Sequence, residues 1–194
     1  DECAVICGEK QTSWHALDAT SNRVAHGLLQ RGITRGCRVA ILTSNRLEHL
    51  VTVFGTLKAG ACVVPLSPYL TADIVTTLAD DASVSALFAD AALLPLADTA
   101  RRQLAGPNEP FLVSIDCEQE GWTPWQAFLS DSEYQPAIPL ENDDEAVVIY
   151  SSGTTGIPKG IVHTHSARRE FALGLALALR LTSTSHGLVT TPLC

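Results

Sequence analysis

The run Tyr150-Ser151-Ser152-Gly153-Thr154-Thr155-Gly156-Ile157-Pro158-Lys159-Gly160 gathers the groups that a bound polyanion needs. Gly153, Gly156 and Gly160 permit left-handed backbone and let main-chain N–H groups approach a phosphate that side chains would obstruct. Ser151, Ser152, Thr154 and Thr155 add four hydroxyls, each able to donate to a phosphate oxygen or to complete a Mg²⁺ shell. Pro158 holds φ just before Lys159 and limits how far that ammonium can wander. Lys159 is one of only three lysines, with Lys10 and Lys58. The plain alternative for such a composition is a flexible Ser/Gly/Thr hairpin loop. The ordered Pro-Lys-Gly ending and the apolar strand ahead of it favour a phosphate loop.

The spacing excludes some chemistries. Two residues separate Gly153 from Gly156, and Gly160 follows Lys159. A Walker A loop has four residues between its glycines and Ser or Thr after its Lys, so a P-loop kinase or GTPase is disfavoured. Ser151 and Ser152 lack a G-x-S-x-G elbow, which disfavours a hydrolase. His163 and His165 would share a face if their strand continued, but no third ligand lies nearby, and zinc sites need three or four. The acidic run Glu141, Asn142, Asp143, Asp144 and Glu145 reads as a solvated lead-in to the next strand, with a cation site as the alternative. Arg168 and Arg169 read as a solvated helix face. His15, His26, His49 and His186 read as surface or core histidines.

The elements that must position the loop alternate. Residues 13–31 read as a helix capped by Thr12 or Ser13, with Trp14, Leu17, Val24 and Leu28 on one stripe and Gly32 as its stop. A buried strand follows at 38–43. A second helix at 46–59 has Asn45 and Glu48 in a capping-box pattern and Leu47, Leu50, Val51, Phe54 and Leu57 toward the core. Strands at 61–65, 84–89 and 111–115 alternate with helices that begin at Thr71 and at Ala91, the first turning Ile74 and Leu78 inward. A short Trp-containing helix falls within 121–144. Strand 146–150 delivers the loop, 160–163 leaves it, an apolar helix spans 167–181, and a further strand begins at 187–191. Strands apolar at nearly every position between amphipathic helices imply a mostly parallel, doubly wound α/β sheet with helices on both faces and right-handed crossovers.

Composition bounds the rest. The chain has 194 residues, 46% of them hydrophobic and 18% charged, enough for one domain with a substantial core. A net charge of −8 argues against nucleic acid or an anionic membrane as partner. No basic leader and no membrane-spanning run is present, so a cytoplasmic location is expected. The six cysteines include no C-x-x-C pair and read as ordinary reduced residues. The absence of Met, with Thr191, Pro192, Leu193 and Cys194 at the end, reads as an excerpt of a longer protein.

The loop string resembles the signature loop of the adenylate-forming superfamily, which holds acyl- and aryl-CoA ligases, peptide-synthetase adenylation domains and luciferases. Residues 14–17, 21–28, 36–42 and 57–66 resemble the superfamily's early landmarks in the same order, and residues 191–194 resemble the start of the next. The resemblance carries phosphate binding onto Ser151, Ser152, Gly153, Thr154, Thr155, Gly156 and Lys159. It implies that residues 1–194 are the N-terminal portion of the large ATP/AMP-binding domain. The remainder of that domain, an acidic motif for Mg²⁺, and a small C-terminal domain with its catalytic Lys would lie beyond Cys194. No catalytic residue and no metal ligand is therefore assigned here, and this portion alone is expected to be inactive. The implied activity is ATP-dependent activation of a small carboxylic acid, fatty or aromatic, as an acyl-adenylate, followed by transfer to CoA. ATP, Mg²⁺ and CoA are the implied cofactors and substrates. A peptide-synthetase adenylation domain, a non-catalytic phosphate-binding module and a phosphotransferase with a variant loop remain the alternatives.

Overall fold

The computed structural model describes residues 2–104, 109–151 and 158–194. Among them the chain opens with an antiparallel hairpin, β1 (Cys3–Cys7) and β2 (Lys10–Ser13), that the sequence pattern did not signal. Ser13 then caps α1 (Trp14–Leu29), its hydroxyl accepting the Ala16 N–H at 3.2 Å and satisfying one of the donors a helix start leaves open. The expected alternation follows as β3 (Arg38–Leu42), α2 (Leu47–Lys58), β4 (Cys62–Pro65), α3 (Ala72–Asp81), β5 (Ala86–Asp90), α4 (Leu94–Gln103) and β6 (Phe111–Ile115). A two-residue β7 (Thr123–Pro124) and the one-turn α5 (Trp125–Phe128) lead to β8 (Glu145–Ser151), β9 (Lys159–Thr164) and α6 (His165–Ala178).

One sheet carries strands β3 to β9 in the order β7-β6-β5-β3-β4-β8-β9. Its described pairings are parallel except that of β8 with β9, which is antiparallel. Neighbouring residues of a strand serve opposite faces. Val39 joins Leu17, Val24 and Leu28 of α1 and Phe128 of α5 in one core, whereas Ala40 and Leu42 join Val75 and Leu78 of α3 and Ala97 of α4 in the other. Both faces are covered, which is why the central strands carry no polar alternation. The doubly wound, mostly parallel architecture is therefore present.

Three local expectations fail. The inward face of α2 matches its apolar stripe only in part: Val51 is buried and Leu47 packs against the core, but His49, Thr52, Gly55 and Thr56 share that buried face, while Phe54 is 41% exposed. Close approach of α1 explains the exchange. A Cβ on Gly55 would stand 2.4 Å from Val24 Cγ1 and 2.9 Å from the Ser21 carbonyl oxygen, so small side chains must occupy the contact. The Thr52 hydroxyl donates to the Glu48 carbonyl at 2.7 Å, within its own helix, and needs no partner across it. The capping box also does not form, because Arg46 is the N-cap and makes no side-chain cap bond. Residues 187–191 form no strand. Their downstream end docks instead on Asn45, whose amide donates to the Thr191 carbonyl at 2.8 Å and accepts the Leu193 N–H at 3.0 Å.

The helix contact gives a stability test. Gly55→Ala should lower stability by about 1–3 kcal/mol through overpacking, whereas Gly174→Ala on exposed α6, where a Cβ meets nothing within 4 Å, should be neutral or stabilise by about 0.4–1 kcal/mol. Thermal unfolding of both variants checks this, and equal Tm values would contradict the packing.

Candidate functional site

Ser151 and Lys159, which flank residues 152–158 in the sequence, lie at the carboxyl edge of the sheet. Strand β8 runs parallel to β4, with Val147 opposite Val63, so its last residue, Ser151, lies at the edge where β3, β4 and β5 also end. Ligands of open α/β sheets bind at that edge. The β8–β9 ladder places Ser151 opposite Lys159, Tyr150 opposite Gly160 and Ile149 opposite Ile161. Both ends of the loop are therefore anchored, and Ser151 and Lys159 are brought together although seven residues intervene in sequence. Both are exposed. Ser152, Gly153, Thr154, Thr155 and Gly156 lie outside the described residues.

The start of β8 is fastened by two arginines from the β3 region. Arg38 donates through Nε and Nη2 to the two carboxylate oxygens of Glu145, at 2.8 and 2.9 Å, and through Nη1 to the Ala82 carbonyl at 3.1 Å. Arg35 pairs with Asp144 at 2.7 Å, and Asp144 also accepts the Glu141 N–H at 2.8 Å. The acidic run 141–145 thus spends its last two carboxylates on ion pairs that hold the strand. Among the described residues no group of three or more His, Cys, Asp or Glu is placed to hold a metal.

The same edge is tied together by Arg46, which donates to Glu48 at 2.8 Å and Asp116 at 2.7 Å and lies 3.7 Å from buried Asp90. Asp90 in turn accepts the N–H groups of Ser44 and Leu93 at 2.8 and 3.1 Å. These bonds join the ends of β3, β5 and β6. Beside them, buried His49 meets the Thr43 hydroxyl through Nδ1 at 2.8 Å, and burial lowers its pKa against opposing contributions from the Leu193 backbone and Asp90. Asn45 and His49 thereby seat residues 191–193. No local signal could have revealed this, since the partners are more than 140 residues apart.

Between the end of β4, the loop and this docked segment lies a cavity of about 220 Å³, lined by Pro65, Leu66, Ser67, Tyr150, Ser151 and Cys194 among others. Its lining is mostly apolar, with Ser67 and Ser151 among its residues. The other sequence candidates do not join it. Strand β9 ends at Thr164 and His165 begins α6, so His163 and His165 do not continue one strand face. Arg168 stacks over the Phe171 ring at 5.5 Å on the exposed helix. All six cysteines are free, and burial followed by the charge of Glu145 pushes the Cys62 thiol up to about 12.

Comparison with known proteins places this geometry. The family model for AMP-binding enzymes matches residues 1–193. The long-chain-fatty-acid–CoA ligase FadD13 of Mycobacterium tuberculosis is 33% identical over 152 residues, covering 78% of this chain and 29% of the ligase. The fatty acid–[acyl-carrier-protein] ligase ScoC of Streptomyces coeruleorubidus is 33% identical over 175 residues, covering 90% of this chain and 32% of the ligase. Among solved structures, the anthranilate CoA ligase AuaEII in complex with anthranoyl-AMP superposes with a TM-score of 0.79 at 26% identity, over 86% of this chain and 32% of that one. The chain therefore spans about a third of the length of these relatives.

The Arg38 pairing has a pH signature. Hydrogen bonding from Arg38, opposed by burial, holds the Glu145 carboxyl below its ordinary value of 4.5. A carboxylate depressed in the folded state adds stability that is complete above its unfolded pKa and is lost as pH falls through the folded one. Arg38→Met should lower stability at neutral pH by on the order of 1 kcal/mol, because the pair is partly exposed. The same change should flatten the loss of stability below about pH 4.5. Urea unfolding across that range measures both, and a pH profile identical to that of the unsubstituted protein would contradict the role of the pair.

Proposed function

This chain belongs to the AMP-binding enzyme family, the adenylate-forming superfamily its sequence resembles, and we propose that it contributes the ATP-phosphate site of an enzyme that activates a carboxylic acid. In this reading residues 1–194 are the N-terminal portion of the large ATP/AMP-binding domain. A following part of that domain and a small C-terminal domain complete the site, and this portion alone does not turn over. The observation that carries the reading is the hairpin that sets Lys159 against Ser151 at the carboxyl edge, in a chain whose family match runs from end to end.

The chemistry follows from the charges. A carboxylate oxygen must form a bond to the α-phosphorus of ATP while the bond from that phosphorus to the oxygen of the departing pyrophosphate breaks. Nucleophile and electrophile are both anionic, so the barrier falls when the polyphosphate is held in line and its charge is offset. We assign this to the Lys159 ammonium, the Ser151 hydroxyl, and the hydroxyls and amides of Ser152, Gly153, Thr154, Thr155 and Gly156. Among the described residues Lys159 makes no ion pair, which leaves its charge available to a phosphate. Mg²⁺ would enter as the counter-ion of ATP, with the loop hydroxyls able to complete its shell. The products are an acyl-adenylate and pyrophosphate.

The second half-reaction is transfer of the acyl group to a thiol. We favour CoA, as in the mycobacterial ligase's name, and the carrier-protein ligase keeps a carrier thiol as the specific alternative. Peptide-synthetase adenylation remains compatible with the same loop. A cytoplasmic site of action accords with ATP and CoA as substrates, and no described helix is long and apolar enough to cross a membrane.

Carboxylate-dependent ATP–pyrophosphate exchange on the intact protein, across fatty, aromatic and amino acids, tests the proposal. Exchange with one acid class and release of AMP are expected; release of ADP would indicate a phosphotransferase, and ATP binding without exchange a non-catalytic module. Lys159→Ala should reduce kcat/KM for ATP by roughly 10- to 150-fold, the equivalent of about 1.5–3 kcal/mol for one charge-assisted contact. Unchanged kinetics would remove the loop from the phosphate site.

A further inference from the structure

We infer that Tyr150, held by Asp81, is a positioning residue that fixes how Ser151 and Lys159 face each other, an inference that rests on the ATP-site reading above. Tyr150 lies on β8 one residue before Ser151, and its ring packs against the α3–α4 core. Its hydroxyl reaches the last turn of α3, where it donates to Asp81 Oδ2 at 2.5 Å, with the Leu78 carbonyl at 3.3 Å. A phenol has a single proton to give, and the closer carboxylate takes it in a charge-assisted bond. Opposite, Gly160 of β9 lies against the ring: a Cβ there would stand 3.2 Å from Tyr150 Cε1 and Cζ and 3.0 Å from Val148 Cγ1. The ring is thereby fixed at one end by a helix and covered by the backbone of the returning strand.

The placement matters because each contact is one residue from a loop end. Tyr150 precedes Ser151, Gly160 follows Lys159, and the two pairs are adjacent rungs of one antiparallel ladder. Fixing the Tyr150–Gly160 rung fixes the register and twist of the Ser151–Lys159 rung beyond it. That ordering is in place before ATP arrives, so less of it is lost on binding. Burial and then the Asp81 carboxylate raise the phenol's pKa, which keeps the donor proton in place and removes the phenol as a base. The remaining role is mechanical. Tyr150 also lines the 220 Å³ cavity with Ser67, Ser151 and Cys194, so a shift of its ring would alter that wall beside Ser151.

The test uses the intact enzyme and a set of conservative changes. Tyr150→Phe keeps the ring and loses the bond, and should raise KM for ATP about three- to tenfold with little effect on KM for the acid. Asp81→Asn retains an acceptor and should stay close to wild type, while Asp81→Ala should match Tyr150→Phe. The Tyr150→Phe/Asp81→Ala pair should be no worse than either change alone. Amide hydrogen exchange at Lys159 and Gly160 should quicken in the Phe variant. A lowered Tm with wild-type KM for ATP, or wild-type amide exchange at those positions, would overturn the inference. If the unsubstituted protein shows no exchange activity with any acid, the adenylation reading fails, and amide exchange in the 194-residue chain still decides the clamp.

Discussion

The placement of Ser151 and Lys159 depends on one parallel pairing, β8 beside β4. Val63 and Val147 are 84 positions apart in the chain, and closing such a loop costs chain entropy that a single strand contact cannot offset. The compensation comes from elsewhere. Strands β3, β4 and β5 are already buried between two helix layers, and that prepared edge receives β8. The bidentate Arg38–Glu145 pair then selects its vertical position. With side chains 27% and 38% exposed, the pair contributes modest stability. Its value lies in direction, since a guanidinium fork accepts a carboxylate in few orientations.

The carboxyl edge is built by polar contacts that the packed interior could not supply. Arg46 draws together the ends of β3, β5 and β6, and the Asn45 amide behaves as a surrogate strand edge for residues 191–193. Both lie in the turn between β3 and α2. The covered layers differ in kind: α3 and α4 present ordinary apolar faces, whereas α1 and α2 approach so closely that Gly55 and two threonines do the packing. The other end of the chain is arranged differently, for α6 buries no side chain and leaves Phe171, Leu173 and Leu177 more than half exposed.

Much of the alternation was legible because parallel strands buried on both faces announce themselves as short apolar runs, and residues 111–115 were read to the residue. Ser13 was legible as a cap because the bond it accepts is local. Face assignment on α2 was not, because hydrophobicity marks which residues avoid water while the distance to the next helix decides which ones fit. Gly55 sits where a Cβ would meet Val24, while Phe54 turns outward. Asn45 misled for a related reason: its capping-box spacing with Glu48 is a local offer, and a better pair of partners arrived from residues 191 and 193.

The sequence by itself determined the composition of residues 150–160 and the strands that flank them, which are written in contiguous residues and short-range periodicity, and its motif strings carried the resemblance to the superfamily. Tertiary structure alone decided what holds those strands in place. The arginines on Glu145 and Asp144, the Asp81 carboxylate on Tyr150, and the flat approach of Gly160 all join segments distant in the chain or opposed across a ladder. Their pairing depends on the order of strands in the sheet. That order follows from packing both faces of the whole sheet at once, and no local run of residues records it.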